Sequence, residues 1–151
     1  DLAQIILRAL ELADFVKLSA EVLAFVADFA GNEEAALEQL WRGCTKLLLV
    51  TDGANTLRWF TPMARGGHGA FPVRAIDATG AGDAFVGACL YRFAESGIGP
   101  MELPAFAADP ARLESLLRFA AACGALAVTR AGSFAAMPTR AEVDAFLEQQ
   151  G

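Results

Sequence analysis

Histidine, tyrosine and cysteine are scarce in this chain: one, one and three among 151 residues. The single imidazole, His68, has no second histidine with which to share a zinc ion, and no Cys-x-x-Cys pair is present, so zinc chemistry and a dithiol redox centre are both set aside. Cys44, Cys89 and Cys123 are far apart and sit among apolar neighbours, which reads as small buried core residues in a reducing compartment. His68, within Gly66-Gly67-His68-Gly69, reads as an exposed loop residue. Positive charge is also limited. Twelve Lys and Arg against eighteen Asp and Glu leave a net charge of −6, and the basic residues are scattered, which excludes a nucleic-acid surface because phosphate backbones are held by clustered cations. The longest apolar stretches are interrupted well before the ~18 residues needed to cross a bilayer, and no charged-then-apolar segment leads to a small-residue cleavage site. These absences point to a water-soluble, cytoplasmic protein without a membrane partner.

What is abundant is apolar surface: 55% of residues are hydrophobic, enough for one substantial core, and the expectation is a single domain over residues 1–151. Residues 1–12 carry apolar positions at helical spacing and lead into a short buried strand, Phe15 to Leu18. Residues 20–30 and 33–43 read as helices broken at Gly31-Asn32. Leu47 to Val50 is a continuous apolar run of the kind found where both faces of a parallel sheet are covered, so Lys46 to Thr51 reads as the clearest strand of the chain. Asp52-Gly53-Ala54-Asn55 is turn chemistry, and Leu57 to Phe60 is a returning strand. Phe71 to Ile76 is expected to form a further strand. The helix at about 82–95 is apolar nearly all round and is expected to be buried. Gly97-Ile98-Gly99-Pro100 ends it, Asp109-Pro110 opens a helix running to about Val128, and Thr139-Arg140-Ala141-Glu142 is a capping box for a last amphipathic helix. Alternating strands and helices predict an α/β fold with a partial parallel sheet flanked by helices.

The segment with the most chemistry in it is Asp77-Ala78-Thr79-Gly80-Ala81-Gly82-Asp83-Ala84-Phe85. Gly80 and Gly82 let the backbone turn and approach an anion without a Cβ in the way, and the helix that follows aims unpaired N–H groups and its positive end at the same point. Asp83 stands where it can orient and deprotonate a hydroxyl nucleophile. Two readings of the loop stay open on these residues alone: a phosphate site with an attached base for phosphoryl transfer, or a helix N-terminus with glycines for turning and Asp for capping. Two other phosphate loops are excluded. There is no Gly-x-x-x-x-Gly-Lys-Ser/Thr, and glycines at 80, 82 and 87 do not satisfy Gly-x-Gly-x-x-Gly.

The segment resembles the C-terminal signature of the ribokinase-like (PfkB) carbohydrate kinases. The resemblance extends to Ala13-Asp14-Phe15-Val16-Lys17-Leu18-Ser19, to Leu48-Leu49-Val50-Thr51-Asp52-Gly53 and to the stretch from Phe119 to Gly132, in that family's order and approximate spacing. Bacterial fructokinases are the members it resembles most. Members of the family are longer, and the chain is similar to their C-terminal half.

The resemblance implies a ribokinase-like fold and ATP-dependent phosphorylation of a sugar, with ATP and Mg2+ as cofactors. It assigns Asp83 as catalytic base and the backbone amides of Gly80, Ala81 and Gly82 as the anion hole. It places Thr51, Gly53, Thr79, Gly82 and Ala121 at the nucleotide, and Asp77, Thr79, Arg130 and Gly132 around a monovalent cation such as potassium. Several positions depart from the family's pattern: Thr56 stands where a glycine is frequent, Ser19-Ala20-Glu21-Val22 replaces Asn-x-x-Glu, and Ala121 and Ala136 replace polar residues. The acceptor is equally open to a nucleoside or a keto-deoxy sugar acid, and the isolated chain to a non-catalytic nucleotide-binding role. A sheet lacking its other half is expected to associate, as a homo-oligomer or through an unpaired edge.

Overall fold

A computed structural model describes residues 1–151. In chain order the elements are α1 (Leu2–Leu10), β1 (Phe15–Ser19), α2 (Ala20–Ala30), α3 (Glu33–Arg42), β2 (Leu47–Thr51), β3 (Leu57–Phe60), β4 (Arg65–His68), α4 (Ala81–Glu95), α5 (Leu103–Ala108), α6 (Pro110–Val128), a 3-10 turn (Phe134–Ala136) and α7 (Arg140–Gln149). They form two compact units, Asp1–His68 with Pro100–Ala108, and Gly69–Gly99 with Asp109–Gly151.

The first unit is built on a four-stranded sheet in the order β1-β2-β3-β4. β1 and β2 are parallel, with Phe15 opposite Leu47 and Ser19 opposite Thr51, and α2 and α3 form the crossover between them. β2–β3 and β3–β4 are antiparallel, so the sheet is mixed and its parallel part is the β1–β2 pair. Leu47, Leu48, Leu49 and Val50 are all buried, as their uninterrupted apolar run required. Leu48 and Val50 join a cluster with Leu7, Leu23, Val26, Leu37 and Leu40 from the three helices, and α5 also packs on β2. The helix break falls where glycine and asparagine put it. Gly31 takes φ +107°, a value that favours a residue without Cβ, and the Asn32 side chain accepts the Ala35 N–H at 2.8 Å as the N-cap of α3. Bidentate Arg58–Glu33 and Arg65–Glu34 pairs tie the start of α3 to β3 and β4. Being largely exposed, these pairs add little to stability.

Three expectations are corrected in this unit. The chain after β3 returns as β4, over Arg65-Gly66-Gly67-His68, where glycines suggested a loop. The cause is close approach: a Cβ on Gly66 would lie 2.7 Å from the Trp59 ring, so the indole of β3 occupies the space a side chain would need. His68 is consequently a half-buried strand residue rather than an exposed loop residue. Cys44 is exposed, because it lies in the turn after α3 and not in the core, whereas Cys89 and Cys123 are buried as expected. A short helix, α5, lies in a stretch whose sequence gave no cap or periodic signal.

The second unit is helical. α4 packs along α6, and α7 packs on α6. Asp109 caps α6, accepting from the Ala111 and Arg112 N–H groups, with Pro110 at the first helical position where its missing donor is harmless. Thr139 and Glu142 form the expected capping box of α7. Residues 71–76 are not a strand, which corrects the sequence expectation. Pro72 has no N–H to give a ladder. The apolar residues of the segment are used otherwise, Phe71 edge-on to Phe146 at 5.2 Å between centroids and beneath the Arg118 guanidinium. α4 buries Ala84, Phe85, Ala88, Cys89 and Phe93, while Leu90 and Tyr91 remain exposed, so its apolar circumference is only partly covered. No helix of the chain is long and apolar enough to cross a membrane.

Candidate active site

Backbone geometry at the glycine loop is the starting point. Gly80 adopts φ +80°, ψ 0°, the left-handed conformation, and α4 begins at the next residue. A Cβ at Gly80 would also lie 3.1 Å from the Cα and Cβ of Ser133, so conformation and contact both call for glycine. No side chain caps α4. The Ala81 N–H turns back to the Ala78 carbonyl at 3.2 Å, so of the three amides expected to form an anion hole this one is already engaged. Gly82, at the second helical position, has no intrahelical acceptor within reach of its N–H, and neither has Asp83 after it. The positive end of α4 is thus open toward an anion through these two amides.

Asp83 is exposed in the first turn of α4. Its carboxylate makes no capping hydrogen bond, although an acidic group in the first turn also suits the positive end of the helix. It borders a cavity of about 250 Å³ whose walls include Ala84, Ala88, Phe119, Met137 and Val143, with Arg140 alongside. Arg140 donates through Nη1 to Glu95 at 2.9 Å and Tyr91 Oη at 3.1 Å, and through Nε to both Asp144 oxygens at 3.0 Å. It also lies over the Phe119 ring. The bonds to Glu95, Asp144 and Tyr91 raise its pKa further above the ordinary arginine value. Cys123, in the same cavity wall, has its thiol pushed up to about 11, chiefly by burial.

The loop before Gly80 is fastened by Asp77. One carboxylate oxygen accepts the Thr79 N–H at 2.9 Å and the other accepts the Gly132 N–H at 2.9 Å. Hydrogen bonds from the Thr79 side chain, the Gly132 amide and the Thr79 amide pull its pKa down to about 2. Asp77, Thr79 and Gly132 are therefore brought together, three of the four residues expected around a cation. Arg130 turns its guanidinium away to Glu142 at 2.6 Å, so only its main chain is available to that group. No three His, Cys, Asp or Glu side chains anywhere in the chain converge as a metal cluster.

The remaining expected nucleotide contacts are distributed between the units. Thr51 ends β2, and Gly53 follows in the turn at φ +55°, where the Asn55 N–H donates to the Asp52 carbonyl at 2.9 Å; both belong to the first unit. Ala121 lies half-buried on α6 in the second. Sequence reasoning missed Ser133 behind Gly80 and the second role of Glu142. The capping box marked Glu142 as a helix-start residue, but nothing local signals its partner Arg130 twelve positions earlier.

The profile of the pfkB family carbohydrate kinases matches residues 2–140. A probable fructokinase-4 from Arabidopsis thaliana is 38% identical over 143 residues, covering 95% of this chain and 42% of that protein. Among solved structures, fructokinase from Xylella fastidiosa with bound ATP superposes with a TM-score of 0.95 at 45% identity, over 99% of this chain and 47% of that one. A double mutant of Vibrio cholerae fructokinase, in a form with fructose, ADP and potassium bound, gives a TM-score of 0.77 at 35% identity, over 97% and 44%. The chain spans less than half the length of the relatives it matches. Its fold is ribokinase-like, and it belongs to the pfkB family of carbohydrate kinases.

Proposed function

We propose that this chain supplies the phosphate-binding and base half of an ATP-dependent sugar kinase of the fructokinase type. The observation that carries the reading is the junction of left-handed Gly80 with an uncapped α4 whose next turn exposes the Asp83 carboxylate. Open amides at Gly82 and Asp83 offer hydrogen bonds to the oxygens of the transferring phosphoryl group, where charge accumulates. Asp83 accepts the proton of the acceptor hydroxyl as that oxygen bonds to phosphorus and ADP departs. Little proton removal is needed early in a loose transition state, so positioning of the carboxylate counts for more than its basicity. Thr51, Gly53, Thr79 and Ala121 serve the nucleotide in this reading.

Mg2+ would arrive with the nucleotide and neutralise phosphate charge. Potassium would fit the Asp77, Thr79 and Gly132 surroundings through backbone carbonyls, since both Asp77 oxygens already accept hydrogen bonds. Association as a homo-oligomer or along an edge strand of the sheet, such as β1, is part of the same proposal. The enzyme is cytoplasmic in this reading.

Calorimetric titration of the chain with ATP and with fructose tests it. ATP is expected to bind; its failure to bind would refute the phosphate site. Where fructose phosphorylation is measured, Asp83→Ala is expected to lower the rate by a factor of roughly 10²–10⁴ while ATP affinity is kept. Turnover unchanged by that substitution would remove Asp83 from its role.

A further inference from the structure

The capping carboxylate of α7 is engaged in more than capping. Glu142 accepts the Thr139 N–H at 2.7 Å through Oε2, closing the capping box, and at the same time accepts Arg130 Nη2 at 2.6 Å through Oε1. These bonds, led by the one from Arg130, hold its carboxyl down to about 2. Arg130 begins the turn that follows α6, and two residues later Gly132 donates its N–H to Asp77. Asp77 in turn takes the Thr79 N–H with its other oxygen. The next residue of the same turn, Ser133, lies directly behind Gly80. The 130–133 turn is therefore gripped from one side by Glu142 and joined to the glycine loop from the other by the Gly132–Asp77 hydrogen bond, with Ser133 filling the space a side chain at Gly80 would need.

A cap alone would need only the Thr139 bonds, and a helix-end arginine alone would need no carboxylate partner. That one carboxylate does both fixes the turn relative to the first turn of α7. The 130–133 turn has no regular secondary structure of its own to hold it. The Ile76 and Asp77 N–H groups, both donating to the Val128 carbonyl at 2.7 and 3.1 Å, secure the start of the loop to the end of α6 but do not reach Thr79 or Gly80.

We propose that Glu142 is a positioning residue for the phosphate loop, setting the geometry of residues 79–82 through Arg130, Gly132 and Asp77. This deepens the kinase reading and rests on it for its functional meaning, although the mechanical coupling is measurable without nucleotide. Gly82 and Asp83 can aim their amides at one anion only if the left-handed step at Gly80 is held in place; the Ala81–Ala78 and Ala84–Gly80 hydrogen bonds close it locally, and Asp77 ties the residue before it to the 130–133 turn.

The test is amide hydrogen exchange and chemical shift, read by NMR on the whole chain. Glu142→Gln and Arg130→Gln are each expected to speed exchange of the Thr79 and Gly132 amides by roughly three- to ten-fold and to move the resonances of Gly80 and Gly82. Thr139→Ala removes the cap hydroxyl while leaving the carboxylate on Arg130, and is expected to leave those amides as they are. The double Arg130→Gln, Glu142→Gln variant should do no more than either single change, because the two residues act as one unit. Changes confined to residues 139–143 in Glu142→Gln, or a Thr139→Ala variant that reproduces its effect, would overturn the proposal and leave Glu142 a cap only. ATP titration of the same variants separates the two hypotheses: a wild-type chain that binds no ATP defeats the kinase reading, while the exchange pattern still decides the role of Glu142.

Discussion

Gly80→Ala is the substitution that most directly examines the site's construction, because its cost can be divided into parts. A left-handed residue with a Cβ costs roughly 1–2 kcal/mol through the contact of that atom with the following carbonyl. At Gly80 the new methyl also meets Ser133 Cα and Cβ at 3.1 Å, and the first of these is main chain that can yield only if the 130–133 turn moves. Overpacking of that kind costs roughly a further 1–3 kcal/mol. The sum, roughly 2–5 kcal/mol, is a large share of the 5–15 kcal/mol by which domains are ordinarily stable. Two controls isolate the contact. Gly53→Ala carries the same conformational penalty, at φ +55°, with nothing within 4 Å of the new atom, and should cost only the first part. Gly87→Ala, inside α4 with nothing within 4 Å, should instead gain up to about 1 kcal/mol from helix propensity. Both tryptophans, Trp41 and Trp59, are in the first unit, so their fluorescence does not report on this site. Urea unfolding followed by far-UV circular dichroism, which senses α4, α6 and α7, is the appropriate measurement. If Gly80→Ala costs no more than Gly53→Ala, the Ser133 contact does not constrain the loop and the reasoning about it fails.

Two further outcomes follow from burial. Of the three thiols, only Cys44 should react with a polar disulfide reagent in the folded chain at neutral pH. Cys123, with its pKa raised to about 11, keeps its proton and should begin to react only as the pH approaches that value or the protein unfolds; rapid modification of more than one thiol near pH 7 would contradict this. Leu49→Ala, at a site with 0% exposure in the middle of β2, should cost about 2–5 kcal/mol in urea unfolding, a loss that tryptophan emission from Trp59 directly opposite on β3 can follow.

How much of this could be read from the sequence depended on whether the determining interaction was local. Asp109-Pro110, the Thr139–Glu142 box and Gly31-Asn32 each fix a helix boundary with groups two or three residues apart, and each boundary fell where those residues placed it. The ladder pairing Trp59 with Gly66 is also short in sequence, yet β4 was illegible, because glycine is depleted from strands in general and here is required by one indole. Residues 71–76 show the converse. Their apolar character is real, but it is spent on Phe146 and Arg118, partners more than forty residues away that no pattern within the segment could announce.

The same distinction runs through the site. Gly80, Gly82 and Asp83 were legible because a glycine bend and a helix start act on their immediate neighbours, and the left-handed angle at Gly80 and the exposed Asp83 accord with that. The Ala81 amide, expected in an anion hole, donates to the Ala78 carbonyl as the chain turns into α4, an equally local effect. Part of what holds the bend in place is not local. Gly132 reaches Asp77 across fifty-five positions. In the kinase reading the loop is thus made of two kinds of information, a short motif that specifies where an anion can sit and a remote main-chain donor, the Gly132 amide, that holds the motif's own Asp77. A chain bearing the motif without the partners of Asp77 would have the signature and lack the rigid donor geometry on which transition-state stabilisation depends.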